Sequence, residues 1–265
     1  MTVSLREVLE ELERLAPLRL AADWDNVGLL VEPRPRGEAA IERIHLTIDL
    51  TEAVLAEAIE RRADLIIAYH PPIFGGLKRV TQHTPAERIT LSLIRAGIFS
   101  YSPHTALDAC QGGLNDWLVS PFGVGRLTPI EPTEAGSPEG QGRLLELRTP
   151  LHLGDAVTRV KTHLKLAHVR VARPAHVDDP LIHSVAVCAG AGGGVLAHVE
   201  ADLLLTGEMR HHDILARQAK GASVIVCDHT NTERGYLPIL AEQLSFGGAV
   251  EVTISERDAD PLEIV

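Results

Sequence analysis

The sequence predicts an α/β protein built as two interlocked subdomains around mixed, largely parallel sheet. Three observations carry that expectation. Apolar strand-like runs alternate with amphipathic helical stretches through the first half, the same alternation resumes near the C-terminus, and a stretch rich in proline and glycine at 126–142 separates the first half from the middle. At 265 residues with 45% hydrophobic content, the chain can bury a sizeable core.

Residues 4–16 place Leu5, Val8, Leu9, Leu12, Leu15 and Ala16 at helical spacing behind Ser4, with Glu7 three residues on in a capping-box pattern. Val27–Val31 reads as a short strand and PRPRGEAA (33–40) as a loop. RIHLTIDL (43–50) alternates as a strand does, and TEAVLAEAIERRA (51–63) follows with helical periodicity behind Thr51 as cap. DLIIAYH (64–70) is the next strand, TPAERITLSLIRAG (84–97) a helix closed by Gly97, and GIFSYS (97–102) a strand. ALDACQGGLNDWLVSPFG (106–123) reads as a short helix broken by its glycines. RLTPIEPTEAGSPEGQG (126–142) reads as a linker or an excursion between subdomains. LLELRTP (144–150) is a strand, LHLGDAVTRVKTHLKL (151–166) a helix and HVRVAR (168–173) a strand. IHSVAVCAGAGGGVLAHVEA (182–201) reads as strand, glycine loop and helix, before strands in DLLLTGE (202–208) and SVIVCDH (223–229). These boundaries assign 1–125 and 200–265 to one subdomain carrying the polar motifs, and 126–199 to an inserted second one.

A formal net charge of −11 argues against a general nucleic-acid or anionic-membrane binder, since both require a positive field. Three widely spaced cysteines, Cys110, Cys188 and Cys227, fit buried thiols in a reducing compartment better than a disulfide framework. The N-terminal stretch has neither an apolar signal core nor a cleavage site, and no apolar run reaches membrane-spanning length, so a cytoplasmic protein is expected. An aromatic content of 3% argues against an extended base-stacking platform.

The chemistry gathers where strands end. DLIIAYH delivers His70, GIFSYSPHTALD delivers His104 and Asp108, DLLLTGEMRHHD delivers Glu208, His211 and His212, and SVIVCDHTNTE delivers Asp228, His229 and Glu233. Ligands of open α/β sheets bind at the carboxyl ends of strands, so four such segments converge on one expectation, a metal site. A single pair would mean no more than a solvated helix face. His104 with Asp108, Glu208 with His212, and His229 with Glu233 each stand four residues apart, which on a helix puts both members of a pair on one face. Imidazoles mixed with carboxylates suit Zn²⁺, Fe²⁺ or Mn²⁺. More donors than one ion needs makes a dinuclear centre plausible, and ions about 3.5–4 Å apart would acidify a bridging water. The glycine run GAGGGVL (190–196) matches neither GxGxxG nor a P-loop and reads as a tight turn rather than a phosphate cradle. No GxSxG nucleophile elbow is present.

WDNVGLLVE (24–32), YHPPIF (69–74), HTALD (104–108), VAVCAGAGGG (185–194), LTGEMRHHD (205–213) and DHTNTE (228–233), in this order, resemble the NIF-three-like proteins of the YbgI type, often labelled GTP cyclohydrolase type 2. The resemblance spans about residues 4–260 and implies the NIF-three-like two-part α/β fold, a toroidal homohexamer and a dinuclear centre of two divalent ions facing an internal cavity. By that resemblance the first ion takes His70, Asp108 and Glu233, and the second takes His229 and the bridging Glu233. Tyr69 stands where many members carry a second histidine, so the second ion is completed by Tyr69 as phenolate, or by water or His104. The activity implied is that of a metal-dependent hydrolase acting on a nucleotide or phosphoester, with Glu208 or His212 as general base or as orienter of a ligand histidine. The alternative is a non-catalytic hexameric assembly that holds metal or partners.

Overall fold

A computed structural model of the chain describes residues 3–35, 39–175 and 177–265, so residues 36–38 of the expected loop lie outside the described residues. In chain order the elements are β1 (Val3–Ser4), α1 (Leu5–Leu15), β2 (Gly28–Val31), β3 (Ala40–Ile41), β4 (Arg43–Thr47), α2 (Glu52–Glu60), β5 (Leu65–Ala68), α3 (Pro85–Ala96), β6 (Phe99–Ser102) and α4 (His104–Ala109). There follow α5 (Leu114–Val119), β7 (Gly125–Pro132), β8 (Gly140–His152), α6 (Leu153–Leu164), β9 (Arg170–Ala172), β10 (Leu181–Cys188), β11 (Leu203–Thr206), α7 (His211–Ala219), β12 (Ser223–Val226), α8 (Leu237–Gln243) and β13 (Glu251–Ile254). The fold is mixed α/β, in two compact units comprising residues 1–107 with 236–265, and residues 108–235.

The first unit carries a five-stranded sheet in the order β13-β4-β5-β6-β2. Its first four strands run parallel and β2 closes the edge antiparallel to β6. β5 is buried along its whole length, as a parallel strand covered on both faces must be, which is why LIIA shows no alternation. Val54, Leu55 and Ala58 of α2 and Ile89 and Leu93 of α3 pack with Ile66 and Ala68 of β5. The caps are set locally: Ser4 and Glu7 form the expected capping box on α1, Thr51 caps α2, and Thr84 with Glu87 forms a second capping box on α3. Gly97, at φ 71°, closes α3 in the left-handed conformation that glycine adopts without steric cost.

A buried polar network ties the end of β13 to α2. Glu57 is buried and accepts hydrogen bonds from Ser255 Oγ at 2.6 Å and from the backbone N–H groups of Glu256 and Arg257, with His45 Nε2 3.6 Å away. Burial alone would push the Glu57 carboxyl up, but these donors outweigh it and hold the group at about 2. A depressed carboxyl pKa contributes stability above its ordinary value and loses it as pH falls toward the folded value. The unfolding midpoint of the wild-type protein is therefore expected to drop between about pH 5 and pH 2, and Glu57→Gln to flatten that acid limb. Denaturant titrations over this pH range check it; an identical acid limb in the variant refutes it.

The second unit carries a six-stranded mixed sheet in the order β7-β8-β10-β11-β12-β9. β10, β11 and β12 are parallel, while β7, β8 and β9 join antiparallel. Two expectations are corrected here. Residues 126–142 are no linker: they form β7, the turn after it and the start of β8, a long hairpin at the sheet edge. An edge strand tolerates Pro129 and Pro132 because its outer side makes no ladder bonds, so composition alone reads as loop. The domain boundaries also move. Residues 200–235 belong with the second unit because β11 pairs with β10 over Val185–Cys188, and β12 pairs with β11. Among the described residues, no helix is long and apolar enough to cross a membrane.

Candidate metal centre

Each unit brings two adjacent parallel strands whose carboxyl ends carry the candidate ligands: β5 and β6 in the first, β11 and β12 in the second. In the first unit, β5 ends at Ala68, and the N–H groups of Tyr69 and His70 still donate to Thr47 and Ile48, so the ladder with the β4 segment extends to the histidine. The Pro71-Pro72 pair then ends the pairing. The His70 Nδ1 lies 2.9 Å from Asp49 Oδ1. After β6, Pro103 leads into His104, whose φ of 25° is unusual for a side chain with a Cβ. Its Nδ1 lies 2.8 Å from Asp25 Oδ1.

Asp25 has a fully buried side chain and also accepts from the Thr105 N–H and hydroxyl. Burial would raise its pKa, but the His104 ring and the Thr105 donors outweigh this and keep it below the usual carboxylate range. The Tyr69, His70 and His104 rings form a mutual cluster, with centroids 5.0 Å apart for Tyr69–His70, 5.4 Å for Tyr69–His104 and 5.3 Å for His70–His104. Tyr69 is buried. Asp108 lies one turn beyond His104 on α4.

The second unit holds a His229 and Glu233 pair. Asp228, at φ 65°, turns the chain sharply after β12, and Arg170 on the neighbouring strand β9 pairs with its carboxylate. His229 follows, and a 3₁₀ turn at Thr230–Thr232 separates it from Glu233. That tight turn, rather than the expected α-helical face, sets His229 Nε2 3.4 Å from Glu233 Oε1. Glu208 Oε1 lies 3.2 Å from His229 Nδ1.

His212 departs from expectation. Helix α7 starts at His211, so Glu208 precedes the helix and the two do not share a helical face. His212 is exposed and meets the His211 ring edge-on, with centroids 5.3 Å apart. Glu208 is thus placed to orient His229, and His212 is not placed as its partner in that role.

One pattern recurs at His70, His104 and His229: a carboxylate holds Nδ1. A carboxylate can only accept, so at His70 and His104 the ring proton sits on Nδ1 and Nε2 is the basic nitrogen, whereas His229 has a carboxylate beside each ring nitrogen. Metal-ligating histidines are oriented in this manner, because a fixed tautomer and ring angle raise the basicity of the coordinating nitrogen. Asp49 and Asp25 as holders of His70 and His104 were missed in the sequence, where nothing links residues 21 and 79 positions apart.

The Duf34/NIF3 (NGG1p interacting factor 3) family profile matches residues 3–261. The chain belongs to the Duf34/NIF3 family. It is 43% identical to the NIF3-like protein 1 of Drosophila melanogaster over 98% of this chain and 89% of that protein. It is 46% identical to the NIF3 homolog of Schizosaccharomyces pombe over 92% of each. A crystal structure of a Bacillus cereus protein related to NIF3 superposes with a TM-score of 0.84 at 20% identity, covering 100% of this chain and 99% of that one, a likeness of fold.

In this NIF3 chain the glycine loop after β10 is neither a phosphate cradle nor the lead into an α-helix; a short 3₁₀ helix, Val195–His198, follows it. Gly190, at φ 58°, lies against the His229 and Glu233 pair: a Cβ there would stand 2.7 Å from Glu233 Oε1 and 2.9 Å from His229 Nε2. The position suits glycine because a Cβ would collide with both side chains and because the backbone is left-handed. Gly190→Ala is expected to lower divalent-metal content by about ten-fold or more, comparable to disturbing a ligand's support, with the fold retained. Elemental analysis beside circular dichroism checks it; unchanged metal content would show that the pair binds none.

Cys110, Cys188 and Cys227 are all buried free thiols. Burial pushes Cys110 and Cys227 up to about 12 and Cys188 higher still, so none is a thiolate near neutral pH. They are core residues, as expected.

Proposed function

We propose that the protein holds two divalent ions, Zn²⁺, Fe²⁺ or Mn²⁺, and uses them to hydrolyse a nucleotide or phosphoester in the cytoplasm. The observation that carries this reading is the carboxylate held against Nδ1 in His70, His104 and His229, which prepares three imidazoles for metal rather than for solvent. In this reading His70 and Glu233 would hold the first ion, and His229 and Glu233 the second. Asp108 would complete the first site, and Tyr69, water or His104 the second. The mixed imidazole and carboxylate donors fit a borderline divalent metal.

Two such ions would supply Lewis acidity toward a substrate oxygen and acidify a coordinated water. The chain's own residues do the rest. Asp49, Asp25 and Glu208 fix the ring angles of His70, His104 and His229, and Glu208 is proposed to orient His229 rather than to act as general base. Assembly as a toroidal homohexamer belongs to the same reading, supported by family membership.

The test is metal analysis of protein purified without chelator, followed by assay of nucleotides and phosphodiesters with added Mn²⁺ or Zn²⁺. The expected result is about two ions per chain and turnover lost on chelation. Bound metal without turnover across a broad panel would favour a non-catalytic metal-holding assembly, and protein that binds no divalent ion would end both readings.

A further inference from the structure

The chain has two tryptophans, four phenylalanines and three tyrosines. Among the described residues, the exposed aromatics are Trp24, at 64% of its full surface, and Phe74, at 58%. Both stand beside the histidine cluster of the first unit. The Trp24 and Phe74 rings are 6.0 Å apart at 53°, and each meets the His104 ring edge-on, at 6.0 Å and 6.4 Å. A folding core would have buried such side chains, and a paired exposed aromatic surface marks a binding site.

The surrounding segments hold this pair in place. Asn26 Nδ2 donates to the Ile73 carbonyl, tying the WDN segment to the PPIF segment. Asp25 holds His104, and the Ala22 N–H donates to Thr105 Oγ1 at 3.0 Å. Trp24, Asp25 and Asn26 thus each have a role: ring, histidine holder and tether.

We propose that Trp24 and Phe74 form a stacking subsite for one planar heteroaromatic ring of the substrate, set beside His104. This rests on the reading of that cluster as part of a metal-dependent hydrolase site and names the part of the substrate the chain recognises. At 6.0 Å the two rings touch each other and leave no slot for a ring between them, so the ligand lies on the outer face of the indole with Phe74 at its edge. Two side chains suffice for one base, which reconciles the subsite with the low aromatic content.

The test reads Trp24 fluorescence and calorimetric binding with guanosine 5′-monophosphate, adenosine 5′-monophosphate and, as a ligand without a base, ribose 5-phosphate. Both nucleotides are expected to quench emission and to bind at least about five-fold more tightly than ribose 5-phosphate, a gap that closes in Trp24→Ala and narrows in Phe74→Ala. Trp24→Phe is expected to keep calorimetric binding while losing the quench. Metal content and circular dichroism are followed in each variant and are expected to stay as in wild type. Equal binding of ribose 5-phosphate, or undiminished base preference in both alanine variants, overturns the proposal. A fall in assembly mass on substituting either aromatic also overturns it, because the surface would then be covered by a second copy of the chain. The quench needs no metal, so absent metal refutes the hydrolase reading alone, whereas intact metal with no base preference refutes the subsite alone.

Discussion

Glu233→Ala is expected to lower divalent-metal affinity by at least about 100-fold, beyond the 10- to 100-fold typical of losing a group that only supports a ligand. Glu233 is buried, with 2% of its side chain exposed, and its Oε1 stands 3.4 Å from His229 Nε2, so alanine removes a donor that water reaches poorly. The same substitution should abolish any metal-dependent turnover. Glu208→Ala provides the graded comparison: it releases His229 Nδ1 but removes no proposed ligand, so a fall of about ten-fold is expected. Competition titrations with a chromophoric chelator measure both. Metal content unchanged in Glu233→Ala would remove the ligand assignment, and equal losses in the two variants would mean that Glu208 is itself a ligand.

Arg143→Met is expected to destabilise the second unit by about 3–5 kcal/mol, the range for breaking a buried ion pair from one side. Arg143 is 1% exposed and its guanidinium donates to the carbonyls of Gly140 at 2.6 Å, Gly142 at 2.8 Å, Ala109 at 3.3 Å and Cys110 at 2.8 Å, besides pairing with Asp116. One side chain therefore fastens the start of β8 to the end of α4. Methionine fills much of the volume but leaves those carbonyls and the Asp116 carboxylate without their donor. Arg143→Lys should recover only part of the loss, since an ammonium cannot reproduce the planar fork. Urea unfolding checks this; a change below about 1 kcal/mol for Arg143→Met would mean that water replaces the guanidinium at no great cost.

Much of the fold is legible in the sequence where a short window contains the cause. The Ser4 and Glu7 box, the Thr51 cap, the Gly97 stop and the continuous apolar run of β5 each depend on neighbours within a turn or a few strand residues. The hairpin of β7 and β8 escapes that window because its prolines are permitted only by an edge position, a fact of sheet order. The His229 and Glu233 pair is legible as a spacing but not as a geometry. A spacing of four predicts an α-helical face, whereas a 3₁₀ turn after the left-handed Asp228 brings the two together.

By itself the sequence determined that strand ends deliver histidines and carboxylates, that the thiols are core residues, and that the chain is α/β, because residue chemistry and periodicity are local properties. Tertiary structure decided that β11 and β12 complete the sheet of the second unit, that Asp49 and Asp25 hold His70 and His104, and that Gly190 lies against Glu233. Those contacts join segments distant in sequence, 79 residues apart for Asp25 and His104, and what brings them together is strand pairing, parallel between β4 and β5 and along β10, β11 and β12 and antiparallel between β2 and β6, whose partners are chosen by the packing of the whole unit rather than by any single stretch of chain.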